Sequence, residues 1–127
     1  AVENILEEIS TSFNFSLKKA EDYKIEKNRI VLDIGIGFSK TFEQNLELIA
    51  KLDKICHEFS GFPILVGASR KSFIGKILGG VSPGERKVGT LGVNALAIWN
   101  GAKILRVHDV KETVETIKTI EAIKNQR

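Results

Sequence analysis

The sequence predicts an α/β fold, a parallel sheet covered by helices. Three observations carry this: short apolar runs alternate with helical stretches, each run is apolar on both faces, and each run empties into a loop rich in glycine, hydroxyls or charge. Val2, Ile5, Leu6, Ile9 and Phe13 recur at helical spacing and predict a first helix, interrupted near the Thr11 to Ser16 stretch. Ile30-Val31-Leu32 then reads as a buried strand ending in Asp33 and a Gly-rich loop. Thr41-Phe42-Glu43-Gln44 has capping-box form and opens a helix whose inner face is Leu46, Ile49, Ala50, Ile55 and Phe59. Gly61 ends it. Pro63-Ile64-Leu65-Val66-Gly67 is the second strand, with proline at the first position, where a missing amide is tolerated.

A short helix is expected from about Lys71 to Leu78. Ser82-Pro83-Gly84-Glu85 signals another helix start, and the stretch that follows runs through Leu91, Ala95 and Ile98 to Asn100-Gly101. Lys103 to Val107 is the third strand. Asp109 to Glu112, again of capping-box form, opens a last helix striped by Val114, Ile117, Ile120 and Ile123. Three parallel strands near residues 29 to 33, 63 to 67 and 103 to 107 result. Both a doubly wound open sheet and part of a (β/α)8 barrel fit this order. Three strands alone would leave two bare edges, so the chain reads as part of a larger sheet.

The 127 residues, 43% hydrophobic, suffice for one modest core. With 19 Lys and Arg against 16 Asp and Glu, the net charge of +3 is mild and dispersed, and no basic run is interleaved with aromatics, so no nucleic-acid role is expected. No apolar run has membrane length, and the amino terminus lacks the pattern of a signal peptide. The single cysteine, Cys56, can form no intrachain disulfide, and no Cys or His cluster has metal-ligand spacing; the cytoplasm is the expected compartment. Because the chain does not begin with Met, a processed or truncated piece is expected.

Chemistry gathers at the strand ends. Asp33 stands at the close of a buried strand, where a carboxylate needs a partner or a donor-rich ligand, although a turn or helix-capping role also suits it. Ser69-Arg70-Lys71-Ser72 places two cations and two hydroxyls where a helix begins, against the preference of the helix dipole. A bound anion would resolve that conflict; a solvated basic turn is the alternative. In Leu105-Arg106-Val107-His108, period two sends Arg106 and His108 to one side, as a second anion site if that side faces a barrel mouth.

Taken together, Leu32 to Lys40, Leu65 to Ser72 and Gly101 to Asp109, with Gly89-Thr90-Leu91 between, resemble dihydropteroate synthase, a pterin-binding (β/α)8 barrel family. The resemblance covers roughly the last hundred residues. It implies that residues 1–127 are the carboxy-terminal part of a single barrel domain, with the amino-terminal strands absent. The implied reaction condenses a dihydropterin pyrophosphate with para-aminobenzoate to give dihydropteroate and pyrophosphate. The implied pterin ligands are Asp33 and Lys71, the pyrophosphate ligands Arg106 and His108, and the aminobenzoate contacts Phe38, Arg70 and Ser72. No residue is assigned a bond-making role, since the aminobenzoate amine attacks directly.

The resemblance further implies magnesium, held from the missing upstream part and by no residue of this chain, and a homodimer when the protein is full length. Two positions depart from the family pattern: Ile34 stands where proline is usual and Ser39 where glycine is usual. Altered loop rigidity is expected, with no change of reaction. Two other readings compete. One is a methyltetrahydrofolate methyltransferase-type barrel, against which Ser69-Arg70-Lys71-Ser72 argues. The other is a non-catalytic phosphate- or pterin-binding half-barrel module.

Overall fold

The computed structural model describes residues 4–127. Its first helix, α1 (Ile5–Asp22), starts where the Asn4 side chain accepts the Glu7 amide at 3.2 Å. No interruption occurs at Thr11 to Ser16. Thr11, Ser12, Asn14 and Ser16 lie on the exposed face, where their polarity costs nothing, while Ile5, Ile9 and Phe13 form the buried stripe. Phe13 meets Phe59 edge to face, with ring centroids 5.2 Å apart. Val2 lies outside the described residues.

Three strands follow the predicted order: β1 (Leu32–Asp33), β2 (Ile64–Val66) and β3 (Ile104–Leu105). They form one parallel sheet in the order β1-β2-β3, with Leu32 opposite Ile64 and Leu65 opposite Ile104. The regular ladder is shorter than expected, but single bonds prolong it, Ile34 N–H donating to Leu65 C=O and Arg106 N–H to Val66 C=O. Burial on both faces, as the sequence predicted, does not hold. Leu32, Ile64 and Val66 face the helices and are buried, whereas Val31 is 47% exposed and Leu65 and Ile104 are half-buried. The face that carries Asp33, Leu65, Ile104 and Arg106 has no helix layer over it. This one-sided core, with bare strand edges at β1 and β3, is that of a partial (β/α)8 barrel seen from its lumen.

The connecting helices are α2 (Phe42–Ala50), α3 (Leu52–Glu58), α4 (Ser72–Ile77), α5 (Lys87–Trp99) and α6 (Val110–Lys124). The capping box at Thr41 forms as predicted, with Gln44 N–H donating to Thr41 Oγ1 at 3.1 Å and Thr41 N–H to Gln44 Oε1 at 2.9 Å. What reads as one helix to Phe59 is broken at Lys51, which lies outside helical geometry at φ −113° and ψ 20°. The break rephases the stripe. Leu48, Ile49, Leu52, Ile55 and Phe59 are buried, while Leu46 and Ala50, expected to face inward, are exposed.

Ser82-Pro83-Gly84-Glu85 forms a single 3-10 turn, and α5 starts only after Arg86. The reason is tertiary: the Arg86 guanidinium donates back to the carbonyls of Val81 at 3.0 Å and Arg70 at 2.8 Å, which holds the preceding loop against α4. Asp109 does not cap α6 with its side chain. Its carboxylate turns to Arg70 and Lys87 instead. The α6 stripe is likewise only partly covered, with Ile117 and Ile120 half-buried and Val114 and Ile123 43% and 56% exposed.

Candidate functional site at the carboxy ends of the strands

The loop after β1 is built from its own polar groups. Asp33 Oδ1 accepts the Gly35 amide at 2.8 Å, Asn45 Oδ1 accepts the Gly37 amide at 2.9 Å, and Lys40 Nζ donates to the carbonyls of Gly35 at 2.6 Å and Phe38 at 3.1 Å. Gly37 has φ +90°, and a Cβ there would stand 3.1 Å from Lys71 Cδ. The positive φ favours glycine, and the approach of the Lys71 side chain makes a Cβ there tighter still. The turn exposes the Phe38 ring, and Lys71 Nζ lies 4.6 Å from its centroid while donating to Ile36 C=O.

Three successive strand ends therefore meet. Arg106, after β3, crosses the lumen face of β2 and pairs with Asp33, the last residue of β1, at 3.3 Å between Nη1 and Oδ2. Gly67 makes the crossing possible, since a Cβ there would stand 2.8 Å from Arg106 Cζ. Lys71 belongs to the same cluster. Its pKa is lowered, first by partial burial and then by Arg106 and Lys40, with Asp33 acting in the opposite direction. Burial likewise lowers Lys40, partly countered by Glu8 and Asp33. A carboxylate beside three cations, two of them losing part of their hydration, suits a ligand that combines hydrogen-bond donors with negative charge.

A second group adjoins the first. Ser69 Oγ and His108 Nδ1 are 2.7 Å apart. Arg70 holds φ +58°, rare for a residue with a side chain, and both its backbone polar groups are gripped from the start of α5. Its N–H donates to Thr90 Oγ1 at 3.0 Å, and its carbonyl accepts from Arg86. The Arg70 guanidinium meets Asp109 at 3.2 Å, so it turns along the rim and away from Asp33. Ser72 is exposed as the first residue of α4, whose six residues make a short helix.

The structure thus gathers Asp33, Phe38, Lys71 and Arg106 closely, seats His108 on Ser69, and puts Arg70 and Ser72 on the adjoining rim. Lys40, Asn45, Arg86 and Thr90 support these residues, and the sequence reading assigned none of them a role. Each acts on backbone groups of a loop, and no local pattern marks such a contact. Two clefts, of about 500 and 560 Å³, lie elsewhere. The first opens at the amino ends of the strands, beside Cys56, Phe62 and Lys103, and the second lies between α1 and residues 24–30. Neither includes the strand-end residues. Among the described residues no group of three or more His, Cys, Asp or Glu could hold a metal ion, and no helix is long and apolar enough to cross a membrane.

Residues 1–108 match the family described as pterin binding enzyme. The dihydropteroate synthase of Escherichia coli is 42% identical over 120 residues, covering 94% of this chain and 42% of that protein. That of Bacillus subtilis is 37% identical over 123 residues, covering 97% of this chain and 42% of that protein. Among solved structures, Yersinia pestis dihydropteroate synthase with a sulfonamide drug superposes at a TM-score of 0.94 and 36% identity, over 100% of this chain and 45% of that one. The Clostridium difficile enzyme with pteroic acid gives 0.91 and 41%, over 97% and 46%. The chain spans less than half the length of these relatives. With the family matched over residues 1–108, most of its length, this chain belongs to the pterin binding enzyme family.

Proposed function

We propose that this chain is the carboxy-terminal half of a dihydropteroate synthase and carries much of the site that joins a dihydropterin pyrophosphate to para-aminobenzoate. The observation that carries the reading is the convergence of Asp33, Lys71 and Arg106 from three successive strand ends onto one open face. The identity of 42% to the Escherichia coli enzyme across 94% of the chain supports it. Relatives solved with pteroic acid and with a sulfonamide support small-molecule substrates.

In this reading Asp33 accepts hydrogen bonds from the donor-rich edge of the pterin, and Lys71 lies against the same ring system. Arg106 and His108 bind the pyrophosphate, and Phe38, Arg70 and Ser72 border the aminobenzoate. As the bond from the pterin methylene to the pyrophosphate oxygen breaks, negative charge grows on the leaving group, and a preorganised guanidinium stabilises it. The amine of aminobenzoate attacks the methylene and loses a proton, so no side-chain nucleophile takes part. Holding the two substrates in line supplies much of the remaining acceleration.

The family reading also brings magnesium, a homodimer and a cytoplasmic location. Among the described residues no cluster would hold the metal by itself. Apolar side chains exposed on α5 and α6, among them Leu96, Val114 and Ile123, support association through those helices. The unpaired Cys56 thiol, pushed up by burial, suits a reducing compartment.

The test is complementation. The chain is combined with the upstream half of the Escherichia coli enzyme and assayed for dihydropteroate formation. Turnover is expected with that half, and Asp33→Asn should abolish it; a stable complex that neither turns over nor binds pterin would refute the proposal.

A further inference from the structure

We infer that Ser69 is a positioning residue that fixes the tautomer and ring orientation of His108, so that the ring offers an Nε2–H donor to a phosphate oxygen. Ser69 sits just beyond β2 and His108 just beyond β3, and two bonds join them. His108 backbone N–H donates to Ser69 Oγ at 3.4 Å, and Ser69 Oγ lies 2.7 Å from His108 Nδ1. One hydroxyl thus holds both the main chain and the ring of the same residue.

The direction of the ring bond follows from distance and from donor count. A separation of 2.7 Å is typical of a hydroxyl donor, whereas ring N–H donors usually stand near 2.9–3.0 Å. A serine hydroxyl has one proton and two lone pairs. It accepts the backbone amide with one lone pair and is free to donate its proton to the ring. Were Nδ1 to carry the hydrogen, the serine would accept twice and leave its own proton to solvent. With Nδ1 accepting, a neutral imidazole must carry its hydrogen on Nε2, at the far side of the ring.

The ring cannot exchange its two nitrogens without breaking the Ser69 bond, so its donor edge is preset. For a site that receives phosphate, as the proposed function holds, this matters: an ionised phosphate oxygen can only accept. The opposite tautomer would present a lone pair to it. The part of this inference that concerns phosphate rests on that functional reading, while the tautomer itself does not.

Long-range 15N–1H correlation spectra of the imidazoles give a direct test. The chain has two histidines, His57 and His108, so assignment is simple and His57 serves as an internal control. Near pH 8.5, where imidazoles are ordinarily neutral, His108 should show one Nε2–H tautomer with a large separation between its two nitrogen shifts. Ser69→Ala should shrink that separation as the two tautomers average, Ser69→Thr should restore it, and His57 should not move. An Nδ1–H pattern in the unmodified chain, or a pattern unchanged in Ser69→Ala, would overturn the inference. Titration with inorganic pyrophosphate, followed at His108, separates the two questions. Affinity should fall about three- to tenfold in Ser69→Ala, as for one hydrogen bond lost. A correct tautomer with no pyrophosphate response in any variant would count against the phosphate site and leave the positioning role standing.

Discussion

Replacing Gly67 with alanine asks whether Arg106 must lie flat across β2 to do its work. A Cβ at this position would stand 2.8 Å from Arg106 Cζ and 3.1 Å from Nε, so the guanidinium has to lift off the sheet and release Asp33. The pair it leaves is 56% and 41% exposed at the side chains, and exposed pairs are worth about 0–1 kcal/mol. Gly67 does not have a positive φ, so alanine introduces no backbone strain, and restricting the unfolded chain slightly favours it. Fold stability should therefore change by under about 1 kcal/mol. Anion binding should change far more, since one charge-assisted hydrogen bond contributes about 1.5–3 kcal/mol, or roughly 10- to 160-fold in affinity. Calorimetry with inorganic pyrophosphate, beside urea unfolding, reads both quantities. Arg106→Ala should weaken binding equally, and the double variant no further. If Gly67→Ala bound pyrophosphate normally while Arg106→Ala did not, the crossing over β2 would be irrelevant to the site and the reasoning wrong.

Three other expectations follow from the same geometry. Ser39 holds φ +54° and its side chain makes no hydrogen bond among the described residues, so Ser39→Gly removes a left-handed penalty of about 1–2 kcal/mol. Glycine's greater freedom when unfolded offsets about 0.5–1 kcal/mol, and a net gain of roughly half to 1 kcal/mol should appear as a higher urea midpoint. The lowered pKa of Lys71 means that the folded chain gives up this proton at a lower pH than the unfolded chain does. Stability should then rise with pH between the lowered folded value and the ordinary lysine value of 10.5, and Lys71→Met should flatten that rise in pH-dependent melting curves. Finally, the isolated chain should not make dihydropteroate, because the lumen face has no opposing strands to hold Asp33, Lys71 and Arg106, and about 1 Å of looseness costs on the order of a hundredfold. Ordinary turnover by the purified chain, supplied with both substrates and magnesium, would contradict this.

Sequence by itself determined whatever a few neighbouring residues can settle. The Thr41–Gln44 capping box, the strand opened by Pro63 and the parallel order of three strands were legible because each depends on short-range periodicity or on donors within four residues. Alternation was expected to send Arg106 and His108 to one side, but β3 ends at Leu105, so both lie beyond the regular strand, where period two does not fix a side chain, and each is placed by its own partner, Asp33 for Arg106 and Ser69 for His108. Tertiary structure decided what those side chains touch. Asp33 and Arg106 are 73 residues apart, and Ser69 and His108 are 39 apart, so each contact exists only once the strands lie side by side. Local rules failed at the same kind of place. Asp109 has the spacing of a helix cap, yet Arg70 and Lys87, brought in from other elements, compete for its carboxylate and win. Ser82 has the spacing of a helix start, yet Arg86 is pulled back to the Arg70 carbonyl and delays α5. A cap contributes about 1 kcal/mol, so a contact of similar strength from across the fold is enough to redirect it, and residue spacing carries no record of which distant group will arrive.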